Sequence, residues 1–150
     1  MQYLILCVGK IKDSYYRKQI ETCCKQITKK QNQINIMEFP DEKIPNHLSE
    51  KEKCTILEKE GKKIADQING RDYVIALCIE GKEITTKQHK QLIENARYDG
   101  YNRVVYLIGG SLGLDERLKE RANKKISFSK MTFPHQLMRV VLCEEIDAVS

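Results

Sequence analysis

The sequence contains no tryptophan, three prolines, three histidines and no apolar run of membrane-spanning length. A helix that crosses a bilayer needs roughly 20 mostly apolar residues in a row, so the sequence excludes a transmembrane helix. The apolar opening that ends at Val8 lacks a basic leader and stops at Gly9-Lys10, unlike a secretory signal peptide. We therefore interpret it as a buried first strand and expect a cytoplasmic protein.

The six cysteines do not form any C-x-x-C pair, the spacing typical of zinc ligands and redox-active dithiols. Most of them fall at apolar positions of predicted helices and strands, so we interpret them as reduced, buried thiols. With three scattered histidines, no metal site is expected. The cysteines are Cys7, Cys23, Cys24, Cys54, Cys78 and Cys143.

Charge is present in quantity but is unevenly distributed. The chain has 150 residues, 41% hydrophobic and 31% charged, which is ordinary for one compact domain. Residues 1–30 hold seven Lys and Arg side chains against two acidic ones, and this excess equals the net charge of +5 of the whole chain. Such a basic region suits an anionic polymer such as RNA, but a merely solvated helix face would have the same composition.

Five strand-like runs alternate with helical patterns along the chain. Three of the runs are almost continuously apolar, as expected for strands covered on both faces. The alternation predicts a single α/β domain with an open, mainly parallel sheet and helices on both faces. The predicted strands are 3–8, 34–39, 73–79, 104–108 and 126–128, and the predicted helices cover about 16–27, 49–69, 86–97, a short stretch from 115 and the segment from 134.

Two helix starts carry capping signals, and one segment is irregular. Ser49 precedes Glu52 by three residues, the spacing of a capping box. Asp115 has the side chain to cap the short fourth helix. Residues 40–48 contain two prolines and predict a surface loop.

The last helix is apolar on nearly every side, because only Arg139 interrupts the run Leu137–Cys143. A terminal helix of a small domain cannot easily bury all of its sides within its own chain. Either the helix is central in the fold or it packs on a partner subunit. We favour the second interpretation, a homodimer.

The stretch VVYLIGGSLGLDE, residues 104–116, ends a predicted strand on closely spaced glycines. It has neither the G-x-G-x-x-G spacing of a dinucleotide-binding turn nor the Gly-Lys-Ser/Thr of a P-loop. Two further segments, ALCIEGK at 76–82 and SFSKMTFPHQLMR at 127–139, end strands at the same carboxyl edge of the predicted sheet, where ligands bind. Three loops with few charges suit a neutral heteroaromatic ring better than a polyphosphate.

These segments, together with the opening LCVGKIKDSYY, resemble the RlmH family from residue 1 to about residue 146. The resemblance implies a SPOUT-class methyltransferase that acts on N3 of a pseudouridine in 23S ribosomal RNA of the assembled ribosome. It also implies S-adenosylmethionine as methyl donor, a C-terminal trefoil knot, and a homodimer with the active site at its interface. The cofactor contacts it implies are Leu77, Gly109, Phe128, Ser129, Lys130, Met131, Thr132 and Phe133. Gly109 and Gly110 would let the backbone approach the cofactor where a Cβ would clash.

Removing the imide proton of the pseudouridine requires a base or a stabilised anion. His135 lies beside the implied cofactor loop and could take that proton, or it could only form local bonds at a helix start. Arg139, one turn later on the same face, could hold a phosphate or the developing charge, or form a salt bridge across the dimer. His47 and His89 are interpreted as surface residues, and Cys78 is not expected to be a nucleophile.

The chain departs from the family at two places. Cys78 stands where relatives usually carry an acidic residue, and after about residue 146 the chain continues as DAVS without the family's aromatic and histidine-containing tail. A ribosome-associated, cofactor-binding protein with impaired catalysis is therefore an alternative. An unrelated α/β nucleotide-binding or hydrolytic enzyme is a third.

Overall fold

The computed structural model describes residues 1–41, 44 and 46–150. Strands and helices alternate along the chain as predicted, and the predicted loop at 40–48 lies partly outside the described residues. The elements are β1 (Gln2–Val8), α1 (Ser14–Lys29), β2 (Gln33–Phe39), α2 (Glu50–Ala65), β3 (Tyr73–Glu83), α3 (Thr86–Tyr98), β4 (Arg103–Ile108), α4 (Glu116–Arg121), β5 (Lys124–Ser127) and α5 (His135–Val149).

The strands form one sheet with the order β2-β1-β4-β3-β5. In the described part of the chain every pair of neighbouring strands is parallel, which confirms the predicted α/β class and parallel sheet. Parallel strands need crossover connections on the faces of the sheet, and the helices supply them. The trefoil knot stays a prediction.

Alternate residues of the central strands belong to two separate hydrophobic cores, one on each face of the sheet. Ile5 and Tyr106 lie in a core that α1, α3 and α5 cover, whereas Leu6 and Leu107 lie in a second core under α2 and α4. Because successive strand side chains point to opposite faces, both faces must be apolar, which explains the continuous apolar runs of β1 and β4. Each fully buried aliphatic side chain stabilises the fold by about 1.5–3 kcal/mol.

Side-chain caps fix most of the helix starts. The Asp13 carboxylate accepts from the backbone N–H of Tyr15. The Ser49 hydroxyl accepts from the backbone N–H of Glu52, which is one half of the predicted capping box, and donates to the Glu52 carboxylate. Thr85 forms a complete capping box that starts α3. The prediction for Asp115 was wrong, because its side chain makes no cap hydrogen bond to α4.

The last helix is central on its face of the sheet rather than peripheral. It packs on α1 and α3, and five of its residues are buried: Arg139, Leu142, Cys143, Ile146 and Val149. Val141 points outward and is 38% exposed. Within one chain α5 therefore buries most of its apolar surface and leaves Val141 as its exposed large apolar side chain. None of the described helices combines the length and the apolar character that crossing a membrane would require.

Candidate functional site

A cavity of about 490 Å³ lies at the carboxyl edge of the sheet, within the size range of ligand pockets. Three segments line it: the middle of β3, the turn after β4, and the segment between β5 and α5. These are the three segments that the sequence placed at one edge, and the structure brings them together. The lining is mostly apolar side chains and backbone, and it includes Leu77, Gly109, Phe128, Ser129, Met131, Thr132, Phe133 and His135.

The first wall comes from a wide bulge in β3. Leu77 and Lys82 both pair with Ile126 of β5, so the residues between them have no partner in β5. Gly81 lies where the backbones of β3 and β5 approach closely, because a Cβ there would sit 2.5 Å from the backbone of Ile126. The bulge interrupts the pairing with β5 at these positions, and Leu77, Cys78, Ile79 and Glu80 line the cavity.

The second wall is the glycine turn after β4. The backbone N–H of Gly113 donates to the carbonyl of Gly110, and Gly113 has a φ of 87°, a conformation that glycine adopts readily. A Cβ on Gly109 would overlap the backbone of Gly113. A Cβ on Gly110 would lie 3.1 Å from the side chain of Val8.

These contacts give the two glycines a role in the fold itself, and the expected clash of a Cβ with the cofactor stays a prediction. The absent side chains leave room for the turn to fold on itself and against β1. Gly109, Gly110 and Gly113 all line the cavity in the closed turn.

Serine side chains shape the third wall. The Ser127 hydroxyl donates to the carbonyl of Ser129, and the Ser129 hydroxyl accepts from the backbone N–H of Met131. The two bonds turn the chain so that Phe128 and Phe133 line the cavity, whereas Lys130 is exposed and lies outside its lining. Lys130 was expected to contact the cofactor together with its neighbours, but the structure places it outside the cavity lining.

Charge at the cavity is concentrated in one ion pair. Glu80 accepts a hydrogen bond from the Lys119 ammonium, and this bond holds the pKa of Glu80 below its usual value. Burial, followed by the charge of Glu80, raises the pKa of the Cys78 thiol, so Cys78 is protonated at neutral pH and is not an activated nucleophile.

Several residues that line the cavity were not identified from the sequence. Ser111, Leu112 and Gly113 belong to the quoted glycine stretch and could have been included from their position alone. Lys119 and Met138 carry no local signal, because helix packing brings them to the cavity.

The two candidate catalytic residues have different surroundings. His135 is exposed, is the first residue of α5 and lines the cavity. Arg139 is 1% exposed and lies outside the cavity lining, so the two do not share a face towards the ligand. Its guanidinium donates to Glu38 at 2.8 Å and to the carbonyl of Val8 at 2.7 Å.

The surface assignment of His89 was wrong. His89 is 1% exposed and lies between the Tyr106 hydroxyl, at 2.6 Å, and the Glu145 carboxylate, at 3.3 Å. Burial lowers the pKa of His89, and the Glu145 carboxylate partly offsets this effect. His47 is exposed, as predicted.

A parallel sheet with helices on both faces and a cavity at its carboxyl edge is the arrangement in which open α/β proteins bind their ligands. The family described as "Predicted SPOUT methyltransferase" matches residues 1–146. The chain belongs to this SPOUT methyltransferase family.

Relatives with close sequence similarity share one name, Ribosomal RNA large subunit methyltransferase H. The Leuconostoc citreum protein is 44% identical over 97% of this chain and 91% of its own length. A Clostridium botulinum protein is 47% identical over 97% of this chain and 91% of its own length. An Oenococcus oeni protein is 46% identical over 95% of this chain and 88% of its own length. The resemblance to the RlmH family is thereby confirmed.

Proposed function

We propose that this protein transfers a methyl group from S-adenosylmethionine to N3 of a pseudouridine in the RNA of the large ribosomal subunit. The observation that carries the proposal is the cavity built by three backbone segments, in a chain 44–47% identical to proteins named for large-subunit rRNA methylation.

The cavity suits the proposed cofactor in size and chemistry. Its volume of about 490 Å³ falls in the range for small-molecule sites. Apolar side chains such as Ile79 and Phe128 offer surfaces for an adenine ring, and the backbone of the β3 bulge offers hydrogen-bond groups for its edges. When bound, the cofactor supplies a methyl group on a sulfonium, which an attacking nitrogen can accept.

His135 is the residue proposed to handle the proton. Its imidazole is exposed at the cavity, where a ring nitrogen can act as a general base. The protein's other contribution is to hold the reactants in line, which is worth about 7–11 kcal/mol when the geometry is right.

Arg139 is proposed as a positioning residue rather than a substrate contact. Its bonds to Glu38 and Val8 connect the first turns of α5 to the ends of β1 and β2. Glu38 also accepts from the backbone N–H of Ile11, so the network fixes the loop after β1 as well. A phosphate contact would require the guanidinium to leave these partners.

A second copy of the chain and the ribosome are the proposed partners. Val141 on α5 and Met131 and Phe133 at the cavity are exposed apolar side chains, and covering them with a second subunit would complete the site. Seven basic residues between 10 and 30 are all exposed, which supports contact between this basic region and RNA phosphates.

The function is tested by transfer of a radioactive methyl group from S-adenosylmethionine. Ribosomes from a strain lacking the modification, naked rRNA and tRNA are offered in parallel. We expect labelling of the large-subunit RNA in assembled ribosomes, at a single pseudouridine. Equal labelling of tRNA contradicts the rRNA assignment, and cofactor binding without labelling favours the ribosome-associated alternative with impaired catalysis.

The placement of the cofactor is tested by filling the cavity. Ser111 is exposed and lines the cavity, so Ser111→Trp should block the site without disturbing the core. Calorimetric titration should show at least a tenfold loss of affinity for S-adenosylmethionine. Gln26→Trp places the same side chain on the exposed face of α1 and should bind normally. Unchanged affinity in Ser111→Trp would refute the placement.

Salt dependence tests the RNA surface. Each neutralised phosphate releases counterions, so ribosome binding should weaken as salt rises. Charge reversal at Lys10, Lys12 and Lys18 should weaken ribosome binding and reduce its salt dependence, while affinity for S-adenosylmethionine stays unchanged. A salt-independent association would contradict the proposed surface.

A further inference from the structure

A groove lies between α3 and the edge strand β5, next to the cavity. Its volume is about 220 Å³, which is small beside the roughly 300–1,000 Å³ of small-molecule sites. β5 is the last strand in the sheet order, so one of its edges has no neighbouring strand in the described part of the chain. The polar residues that line this α3–β5 groove are Lys82, Gln88, Gln91, Asn95, Lys124 and Lys125.

The positive charge of the groove is not neutralised within the chain. Lys82, Lys124 and Lys125 are exposed, and none of them forms an ion pair with a residue that the structure describes. No acidic side chain is among the described residues that line the groove. Lys119 differs, because it lines the cavity and is paired with Glu80. The three groove lysines therefore concentrate positive charge at one place on the surface.

Carboxamides of α3 lie along the same groove. Gln91 Nε2 donates to Asn95 Oδ1 at 2.8 Å, and Gln88 Oε1 accepts from the backbone N–H of Thr85. Gln91 Oε1, Asn95 Nδ2 and Gln88 Nε2 have no partner among the residues described. Spacings of three and four residues place these side chains on one face of the helix. Such groups can bond phosphate oxygens and ribose hydroxyls without reading a base sequence.

The groove adjoins the cavity in which methyl transfer is proposed. Ile126 lines both of them. The Lys119 hydrogen bond holds the pKa of Glu80 below its usual value, and the Lys125 charge adds to this effect. Lys125 is therefore within electrostatic reach of the cavity, and a polymer that enters the cavity can continue into the groove.

The first basic region, at residues 10–30, flanks the cavity from another side. The backbone N–H of Lys12 donates to the side chain of Gln136, the residue that follows His135. In the sheet order β1, which leads to Lys12, and β5 lie on opposite sides of β4 and β3. Positive charge thus occurs on both sides of the cavity.

We propose that the α3–β5 groove binds the sugar-phosphate backbone of the RNA strand whose target nucleotide enters the cavity. The inference rests on the proposed methyl transfer to rRNA and adds a contact outside the basic region of residues 10–30. Each lysine would neutralise a phosphate and release its counterions, while the carboxamides fix the path of the strand. An apolar or basic partner would leave the ammonium groups without counter-charge, so a polyanion is the occupant that the groove suits.

The test begins with a variant that removes the charge of the groove. It combines Lys82→Gln, Lys124→Gln and Lys125→Gln, three exposed positions outside the cavity lining, where substitutions change stability little. Sedimentation with ribosomes from a strain lacking the modification measures binding over a series of salt concentrations. We expect about a tenfold loss of affinity and a slope of log affinity against log salt smaller by about 2, since each phosphate of a single strand contributes about 0.7.

A control variant loses the same charge elsewhere. It combines Lys51→Gln, Lys59→Gln and Lys62→Gln, three exposed positions of α2, which covers the opposite face of the sheet from α3. The control should bind ribosomes within about twofold of the wild-type chain if the position of the charge decides binding. Both variants should bind S-adenosylmethionine with unchanged affinity, which shows that the cavity is intact.

Cross-linking identifies what occupies the groove. A p-benzoylphenylalanine residue introduced at Asn95, which is exposed in the groove, should react on irradiation with large-subunit rRNA in the ribosome complex. Cross-links to ribosomal proteins alone would mean a protein partner and would overturn the proposal, as would equal ribosome affinities of the two triple variants.

Methyl transfer separates this inference from the proposed function. The groove variant should need more ribosomes for half-maximal methyl transfer, with a similar rate at saturation. Labelling of rRNA by the wild-type chain, with unchanged ribosome affinity in the groove variant, would overturn the groove and leave the function standing. Ribosome binding that the groove variant loses, without labelling by the wild-type chain, would support the groove and contradict the function.

Discussion

The Nε2 atom of His89 lies 2.6 Å from the hydroxyl oxygen of Tyr106, within the core between α3 and β4. On its other side Nδ1 lies 3.3 Å from the Glu145 carboxylate. A carboxylate can only accept, so Nδ1 carries the proton and Nε2 accepts from the tyrosine hydroxyl. The neutral imidazole therefore links α3, β4 and α5.

Removing this imidazole should destabilise the fold. His89→Leu leaves the Tyr106 hydroxyl buried without its acceptor, and we expect a loss of about 2–4 kcal/mol in the free energy of unfolding. Urea unfolding measures it. Combining His89→Leu with Tyr106→Phe should recover part of the loss, and strict additivity of the two changes would contradict the proposed bond.

The same residue predicts a pH dependence of stability. Burial lowers the pKa of His89 below its ordinary 6.5 in the folded chain, so below that pH the unfolded state binds a proton that the folded state resists. Stability should therefore be unaffected by His89 above about pH 7 and fall as the pH drops below 6.5. His89→Gln, which cannot titrate, should show a shallower fall between pH 7 and 5. Equal slopes in the two proteins would exclude His89 as the source.

We expect Arg139 to contribute to the stability of the fold rather than to the binding of substrate. Arg139→Gln removes the positive charge that pairs with Glu38 and opens a buried site, so the free energy of unfolding should drop by about 2–4 kcal/mol. Arg117→Gln, which removes an arginine that is 75% exposed and pairs with Glu58, should change it by less than about 0.5 kcal/mol. Full stability of Arg139→Gln with lost RNA affinity would instead favour a substrate role.

A substitution at Gly81 tests the close approach of the β3 and β5 backbones. A Cβ there would collide with the Ile126 backbone, so Gly81→Ala should lower stability by about 1–3 kcal/mol and weaken cofactor binding by distorting the β3 bulge. Gly70→Ala is the control, because no heavy atom outside its chain neighbours lies within 4 Å of the added Cβ. Thermal unfolding measures the stability and calorimetric titration the affinity for the cofactor. Equal stability and equal affinity of the two variants would contradict the close approach of β3 and β5.

The proposed dimer is tested on α5. Val141→Glu would bury an unpaired charge at the interface, and sedimentation velocity at micromolar concentration should then detect monomers. Tyr98→Glu places the same charge at a residue that is 91% exposed on α3 and should leave the dimer intact. A wild-type chain that sediments as a monomer would refute the dimer.

The fold could be predicted from the sequence because the residue patterns that indicate its strands and helices are local. Continuous apolar runs marked β1 and β4 as strands with both faces covered, and their carboxyl ends located the cavity. His89 and Arg139 could not be placed in the same way. The partner Glu145 lies 56 residues from His89, and Glu38 lies 101 residues from Arg139, so the packing that buries these polar side chains leaves no local pattern.

The position of β1 between β2 and β4 has a consequence for how the chain folds. Val8 and its neighbours can pair with β2 early, but their second edge stays open until residues 103–108 are available. Such long-range parallel pairing is slow to form. The third cavity wall comes later still, from residues after β5, so the ligand site is completed only after most of the sheet has assembled. During synthesis on the ribosome the β1 edge therefore stays unpaired for about two thirds of the chain, and an unpaired strand edge is prone to misassembly.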